Sequence, residues 1–155
     1  SWYYEQKTLG FNYRLNDLQA ALGINQIKKL KKFVKNRHQI AQQYDELFKE
    51  NDNIETPYQF KKSYSSYHLY IIKVSNREDF KRKEIFDRLR GKGYLVNVHY
   101  IPIYKHPYYS ADFESNNFPN SEEYYSKAIS LPIYPSLEEK EIRRIVDIIN
   151  NKIKY

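Results

Sequence analysis

The chain has no cysteine and no methionine, and only four glycines among its 155 residues. Without cysteine there is neither a disulfide framework nor a thiolate metal site. Four scattered glycines make no glycine-rich phosphate turn, and neither a Walker loop nor a GxSxG elbow occurs. No apolar run reaches bilayer length and no signal-peptide pattern opens the chain, so the cytoplasm is the simplest compartment. Methionine is missing even from position 1, which reads as a piece excised from a longer protein, with Ser1 left by a vector.

Histidine is also scarce. His38, His68, His99 and His106 share no helical i, i+4 pairing with one another or with a placed carboxylate, so no metal site is expected. His38 falls on the polar side of a basic helix and reads as a surface residue. His68 falls in an apolar strand and reads as a core histidine. No nucleophile–base arrangement is visible, and a self-contained enzyme is hard to build from these residues.

What is present is a globular composition: 41% apolar, 17% aromatic and seventeen tyrosines. Tyrosine suits half-buried surfaces, although an AT-rich coding sequence would enrich it equally. The net charge of +7 points toward polyanions. Its basic clusters, "KKLKKFVK" (28–35) and "FKRKEIFDRLRGK" (80–92), are broken by apolar residues at helical spacing and read as solvated helix faces. No zinc finger, ribonucleoprotein signature or GxxG clamp accompanies them.

Asn16 followed by Gln19 forms a capping-box signature, and Leu15, Leu18, Leu22, Ile27, Leu30, Val34, Ala41 and Phe48 continue it at helical intervals toward Lys49, with a bend expected near Gly23. "SSYHLYIIKV" (65–74) and "YLVNVHY" (94–100) read as strands. Residues 77–90 read as a helix stopped by Gly91 and Gly93. A short helix capped at Asn120 runs through Ala128, "SLPIYPS" is an extended connection, and a capping box at Ser136 opens a last helix. The fold class is α+β: a single domain with a long N-terminal helix and a short sheet covered by helices.

Two constellations carry possible chemistry. "FNYR" (11–14) sets Asn12 and Arg14 two residues apart; in extended chain they face the same way and suit one phosphate-bearing ligand. A loop pinned by its own side chains is the other reading. "VHYIPIY" (98–104) sets His99 and Tyr100 at a strand end before prolines, with Tyr104 and Lys105 nearby for an oxyanion.

The stretches "LGFNYRLNDLQAALGINQIKKL", "HLYIIKV", "VHYIPIYKHPYY" and "AISLPIYPSLEEKEI" together resemble the C-terminal part of the DegT/DnrJ-type sugar aminotransferases, in the family's order. The resemblance covers nearly all of the chain. "WYYEQ" (2–6) and "HYIPIYKHPYY" look most like the branch that makes 4-amino sugars on a UDP carrier, as in the pseudaminic acid pathway. It implies a small C-terminal domain of the fold-type I scaffold, pyridoxal 5'-phosphate as cofactor, a homodimer, and amino transfer from glutamate to a UDP-4-keto-6-deoxy sugar. It implies that Asn12 reaches the cofactor phosphate of the neighbouring subunit. Arg14, His99 and Tyr100 are implied to hold the nucleotide-sugar substrate, with Tyr104 and Lys105 as further candidates.

The family carries its cofactor-binding lysine in an N-terminal domain, and the usual "SxHxxK" setting occurs nowhere here. No residue of this chain is therefore expected to be catalytic, and the piece alone is expected to be inactive, without bound cofactor, nucleic acid or membrane. The rival reading is a non-catalytic module that binds phosphorylated ligands or nucleic acid.

Overall fold

The computed structural model describes residues 2–77, 80–109 and 117–150. Residues 1–32 and 33–155 form two compact units, and one continuous helix, α1 (Asp17–Phe48), runs through both. Its start is the capping box expected from sequence. The Gln19 amide donates to Asn16 Oδ1 at 2.9 Å, and the Asn16 amide donates to Gln19 Oε1 at 3.1 Å. The helix passes through Gly23 without interruption.

In the first unit, residues 2–16 form neither helix nor strand. Trp2, Leu9, Phe11, Leu18, Leu22, Ile27 and Leu30 are all exposed.

The second unit holds the core. Its three-stranded antiparallel sheet is ordered β1 (Ile54–Glu55), β2 (Tyr70–Val74), β3 (Ala128–Leu131). In β2, Tyr70, Ile72 and Val74 are buried while Ile71 and Lys73 are half-buried, the alternation of a pleated strand. All four residues of β3 are buried. The helices are α2 (Arg82–Gly91), α3 (Pro119–Lys127) and α4 (Glu139–Ile149). α2 packs against α4 and β3, and α3 against β2. Ile142, Ile145, Val146 and Ile149 of α4 join Ile40, Tyr44 and Phe48 of α1 in one cluster with Ile85 and Leu89. The expected α+β class stands, with the long first helix and short antiparallel sheet in place.

Several boundaries differ from the sequence reading. The first expected strand starts at Tyr70 rather than residue 65, because α1 has already taken the carbonyls ahead of it. Arg37 Nη1 donates to Tyr67 O at 3.0 Å, and His38 Nε2 lies 2.7 Å from Ser65 O. The expected helix over 77–90 begins only at Arg82, whose amide donates to Asn76 Oδ1 at 2.9 Å; Glu78 and Asp79 lie outside the described residues. Residues 94–100 are not a strand. The Tyr94 and Val96 amides donate locally, to Leu89 O and Tyr94 O, leaving one bridge between Asn97 and Ser130. The third strand is instead Ala128–Leu131, cut from what read as a helix end and a connection.

Two expected caps do not form. α3 is preceded by Phe118 and has Pro119 in its first turn, where a missing amide hydrogen costs nothing. α4 is preceded by Glu138, not Ser136, and neither start carries a side-chain cap.

The two histidines exchange roles. His38 is half-buried, its ring stacked on Tyr64 at 4.3 Å and edge-on to Tyr67 at 4.8 Å. His68 is exposed.

A polar contact sits inside the core. The Tyr70 hydroxyl donates to Asp45 Oδ1, and the Tyr44 hydroxyl donates to Pro132 O at 3.0 Å. Burial pushes the Asp45 carboxyl above its ordinary range, against the pull of hydrogen bonds from Tyr70 and Thr56, with the Glu46 charge adding to the rise. A carboxyl raised in the folded state binds more protons there than when unfolded. Its contribution is thus fully present below the unfolded value and is lost as pH rises toward the folded one. Asp45→Asn keeps an Oδ1 acceptor for Tyr70 and is expected to flatten that decline. Urea midpoints across the acidic range check this; an unchanged slope would assign it elsewhere.

Candidate functional site

Asn12 and Arg14 belong to the first unit; His99, Tyr100, Tyr104 and Lys105 belong to the second. Asn12 takes a left-handed backbone with φ 56°, a conformation that asparagine tolerates better than most residues. The backbone is therefore not extended at Asn12, and the shared-face argument from i, i+2 spacing does not apply. Instead the flanking rings of Phe11 and Tyr13 stack at 5.7 Å. Asn12 and Arg14 are both exposed. Among the described residues, neither side chain makes a hydrogen bond or ion pair. The reading of a loop pinned by these two side chains loses its support.

The second cluster sits where residues 96–106 pass β3. His99 is half-buried and its Nδ1 lies 2.7 Å from Ser130 Oγ. The Tyr100 ring meets the His99 ring edge-on at 4.6 Å and is 73% exposed. A single 3-10 turn, Ile103–Lys105, follows Pro102. It brings Tyr104 and Lys105 to one carboxylate on α3: the Tyr104 hydroxyl donates to Glu122 Oε1 at 2.9 Å, and Lys105 Nζ to Glu122 Oε2 at 2.6 Å. Burial, then the Glu122 hydrogen bond and charge, push the Tyr104 hydroxyl above its ordinary range. The Tyr104 ring also stacks on Phe118 at 4.5 Å.

These two donors are thus already engaged, whereas Tyr100 lines a recess of about 550 Å³. Pro102, Ile103, Phe118, Asn120 and Tyr124 help line it. Aromatic walls with an amide at the rim can hold a flat, partly apolar group.

Sequence reasoning missed Ser130 and Glu122. Ser130 lay in a stretch read as a connection, and Glu122 read as part of a helix cap; neither carried a signal. Among the described residues, no group of three or more histidines, aspartates or glutamates could hold a metal, and no helix is long and apolar enough to cross a membrane.

Amide, guanidinium, imidazole and phenol groups each suit phosphate oxygens as hydrogen-bond donors. Comparison with known proteins identifies the family. Residues 2–150 match the family described as DegT/DnrJ/EryC1/StrS aminotransferases. The chain is 35% identical over 141 residues to a UDP-4-amino-4,6-dideoxy-N-acetyl-beta-L-altrosamine transaminase of Helicobacter pylori, covering 91% of this chain and 38% of that protein. It is 33% identical to the spore coat polysaccharide biosynthesis protein SpsC of Bacillus subtilis, covering 99% of this chain and 41% of that protein. Among solved structures, Helicobacter pylori PseC, an aminotransferase involved in the biosynthesis of pseudoaminic acid, superimposes with a TM-score of 0.82 at 34% identity. That match covers 95% of this chain and 40% of PseC. The PLP-form of a putative sugar aminotransferase, Spr1654 of Streptococcus pneumoniae, gives a TM-score of 0.83 at 26% identity, covering 99% of this chain and 41% of that one. The chain spans about two-fifths of the length of these relatives.

Proposed function

This chain belongs to the DegT/DnrJ/EryC1/StrS aminotransferase family, and we propose that it is the C-terminal domain of a pyridoxal-phosphate-dependent nucleotide-sugar aminotransferase. The complete enzyme moves an amino group from glutamate to a UDP-linked 4-keto-6-deoxy sugar, in the cytoplasm, as a homodimer. The reading is carried by the uncommitted donors at Asn12 and Arg14, which are exposed and hold no partner among the described residues. They lie inside the stretch that matches the family.

The donor chemistry fits the cofactor's phosphate: an amide without a competing acceptor and a cation without a carboxylate. Pyridoxal phosphate, when bound, supplies the electron sink for amino transfer. The lysine that holds it comes from outside these 155 residues. Asn12 donates to the cofactor phosphate across the dimer. Arg14 grips a substrate phosphate with its planar fork, and His99 and Tyr100 donate single hydrogen bonds to the nucleotide sugar. Tyr104 and Lys105 are further candidates for the substrate, and Lys105 reaches it only by exchanging Glu122 for it. The exposed Phe11, Leu22, Ile27 and Leu30 are covered in the complete enzyme by its remaining part and its partner subunit. Nucleic acid and membrane have no place in this reading.

A charge-assisted hydrogen bond is worth about 1.5–3 kcal/mol, so Arg14→Ala in the longer polypeptide is expected to raise KM for the nucleotide sugar by roughly 10- to 100-fold. Asn12→Ala is expected to weaken cofactor retention by about tenfold. Steady-state kinetics and a cofactor titration measure both. Wild-type values in both variants would refute the assignment.

A further inference from the structure

Ser130 is a buried polar residue, 5% exposed, on β3 opposite Ile71 of the neighbouring strand. Its backbone is committed to a bridge: its amide donates to Asn97 O at 2.8 Å, and its carbonyl accepts from the Asn97 amide at 3.4 Å. Its hydroxyl has a single partner among the described residues, His99 Nδ1 at 2.7 Å. On another side, the Tyr100 ring closes edge-on against the imidazole at 4.6 Å. A strand residue and an aromatic ring thus hold the histidine that the sequence singled out.

The direction of that hydrogen bond follows from what a buried hydroxyl needs. Were Nδ1 to carry the hydrogen, the Ser130 oxygen would accept it and the hydroxyl proton would be left in the core without an acceptor. A buried donor without an acceptor bears the full loss of its hydration. When Ser130 donates instead, Nδ1 accepts, the hydroxyl is satisfied, and the neutral ring must carry its hydrogen on Nε2.

We infer that Ser130 is a positioning residue for His99, holding the ring through Nδ1 so that Nε2–H is the donor left for a ligand oxygen. A neutral ring of this tautomer donates to a phosphate oxygen, whereas the opposite tautomer would present a lone pair to an anion. Only the identity of that ligand rests on the function proposed above. The Ser130–His99 contact does not.

The test is a two-bond ¹H–¹⁵N ring spectrum of the ¹⁵N-labelled 155-residue chain at about pH 8, where imidazole is neutral, with the His99 signals assigned by their loss in His99→Gln. The expected spectrum shows Nδ1 unprotonated and Nε2 protonated, with a tautomer ratio about tenfold beyond that of free histidine, the ratio one hydrogen bond is worth. Ser130→Ala is expected to return the ratio to the free value, and Ser130→Thr, which keeps the hydroxyl, to restore it. A purely structural role for Ser130 would leave the ratio unmoved. Protonation on Nδ1 in the wild-type chain overturns the inference, with no variant needed. So does an unchanged ratio in Ser130→Ala. UDP added to the same sample separates the two claims. If it fails to move the His99 Nε2 signal, the substrate role of His99 falls while the Ser130 contact stands.

Discussion

Replacing Tyr70 with alanine is expected to lower the stability of the chain by about 4 kcal/mol, the cost of truncating a fully buried aromatic side chain. Tyr70 is 0% exposed and sits in the central strand, so no solvent can refill the space it leaves. Its ring stacks on Tyr44 at 4.8 Å and lies 6.5 Å from Tyr67, so the truncation strips packing from two further aromatics. It also takes the hydroxyl that Asp45 accepts from. Burial, and then the Asp45 hydrogen bond, push the Tyr70 hydroxyl well above the ordinary tyrosine range. Tyr70→Phe separates the two contributions. It keeps the ring and removes one of the two side-chain donors to the Asp45 carboxylate, leaving Thr56, and is expected to cost about 1–2 kcal/mol. Urea unfolding with matched m-values measures both. A loss below about 1 kcal/mol for the alanine variant would show that the core does not depend on this ring.

Arg37→Met is expected to destabilise the chain by about 3 kcal/mol, although it deletes no ion pair. The guanidinium of Arg37 is half-buried and donates to three carbonyls: Ile133 at 2.9 Å, Tyr67 at 3.0 Å and, more weakly, His68 at 3.5 Å. Asn36, its neighbour on α1, donates to Pro135 O at 3.0 Å. Two segments without secondary structure, ahead of β2 and after β3, are thereby fastened to one helix. Methionine retains most of the apolar stem, so the measured loss reports the orphaned carbonyls rather than a cavity. Arg37→Lys is expected to recover only part of it, because a point charge cannot serve both segments with one planar fork. Chemical denaturation reads the difference. A methionine variant within 0.5 kcal/mol of wild type, roughly the usual range for surface substitutions, would contradict this role.

Arg37 and its neighbour His38 show where sequence reading stops. The Asn16–Gln19 box and the apolar face of α4 were legible because they depend on residues three or four apart. The limits of the strands were not, because they depend on partners far along the chain. Arg37 and His38 decide where β2 can start, and residues 94–100, whose Tyr94 and Val96 amides turn to carbonyls close by in the chain, keep one bridge, to Ser130, instead of forming a strand. His68 lay in an apolar stretch but is exposed, whereas His38 lay on a polar face but is covered by Tyr64 and Tyr67.

Of the candidate site, the residue types were legible and their commitments were not. Arg14 and Lys105 read alike as cations, yet one is uncommitted among the described residues and the other is held by Glu122. His99 could be picked out of "VHYIPIY", but nothing local announces that a buried serine thirty-one residues on takes its Nδ1.

The most direct test of the account is amino transfer itself. The 155-residue chain, and the longer polypeptide that carries it, are each supplied with pyridoxal phosphate, glutamate and a UDP-linked 4-keto-6-deoxy sugar. The account predicts amino-sugar formation by the longer polypeptide, abolished by substituting its cofactor-holding lysine, and none by the 155-residue chain. Amino-sugar formation by the 155-residue chain alone would contradict it.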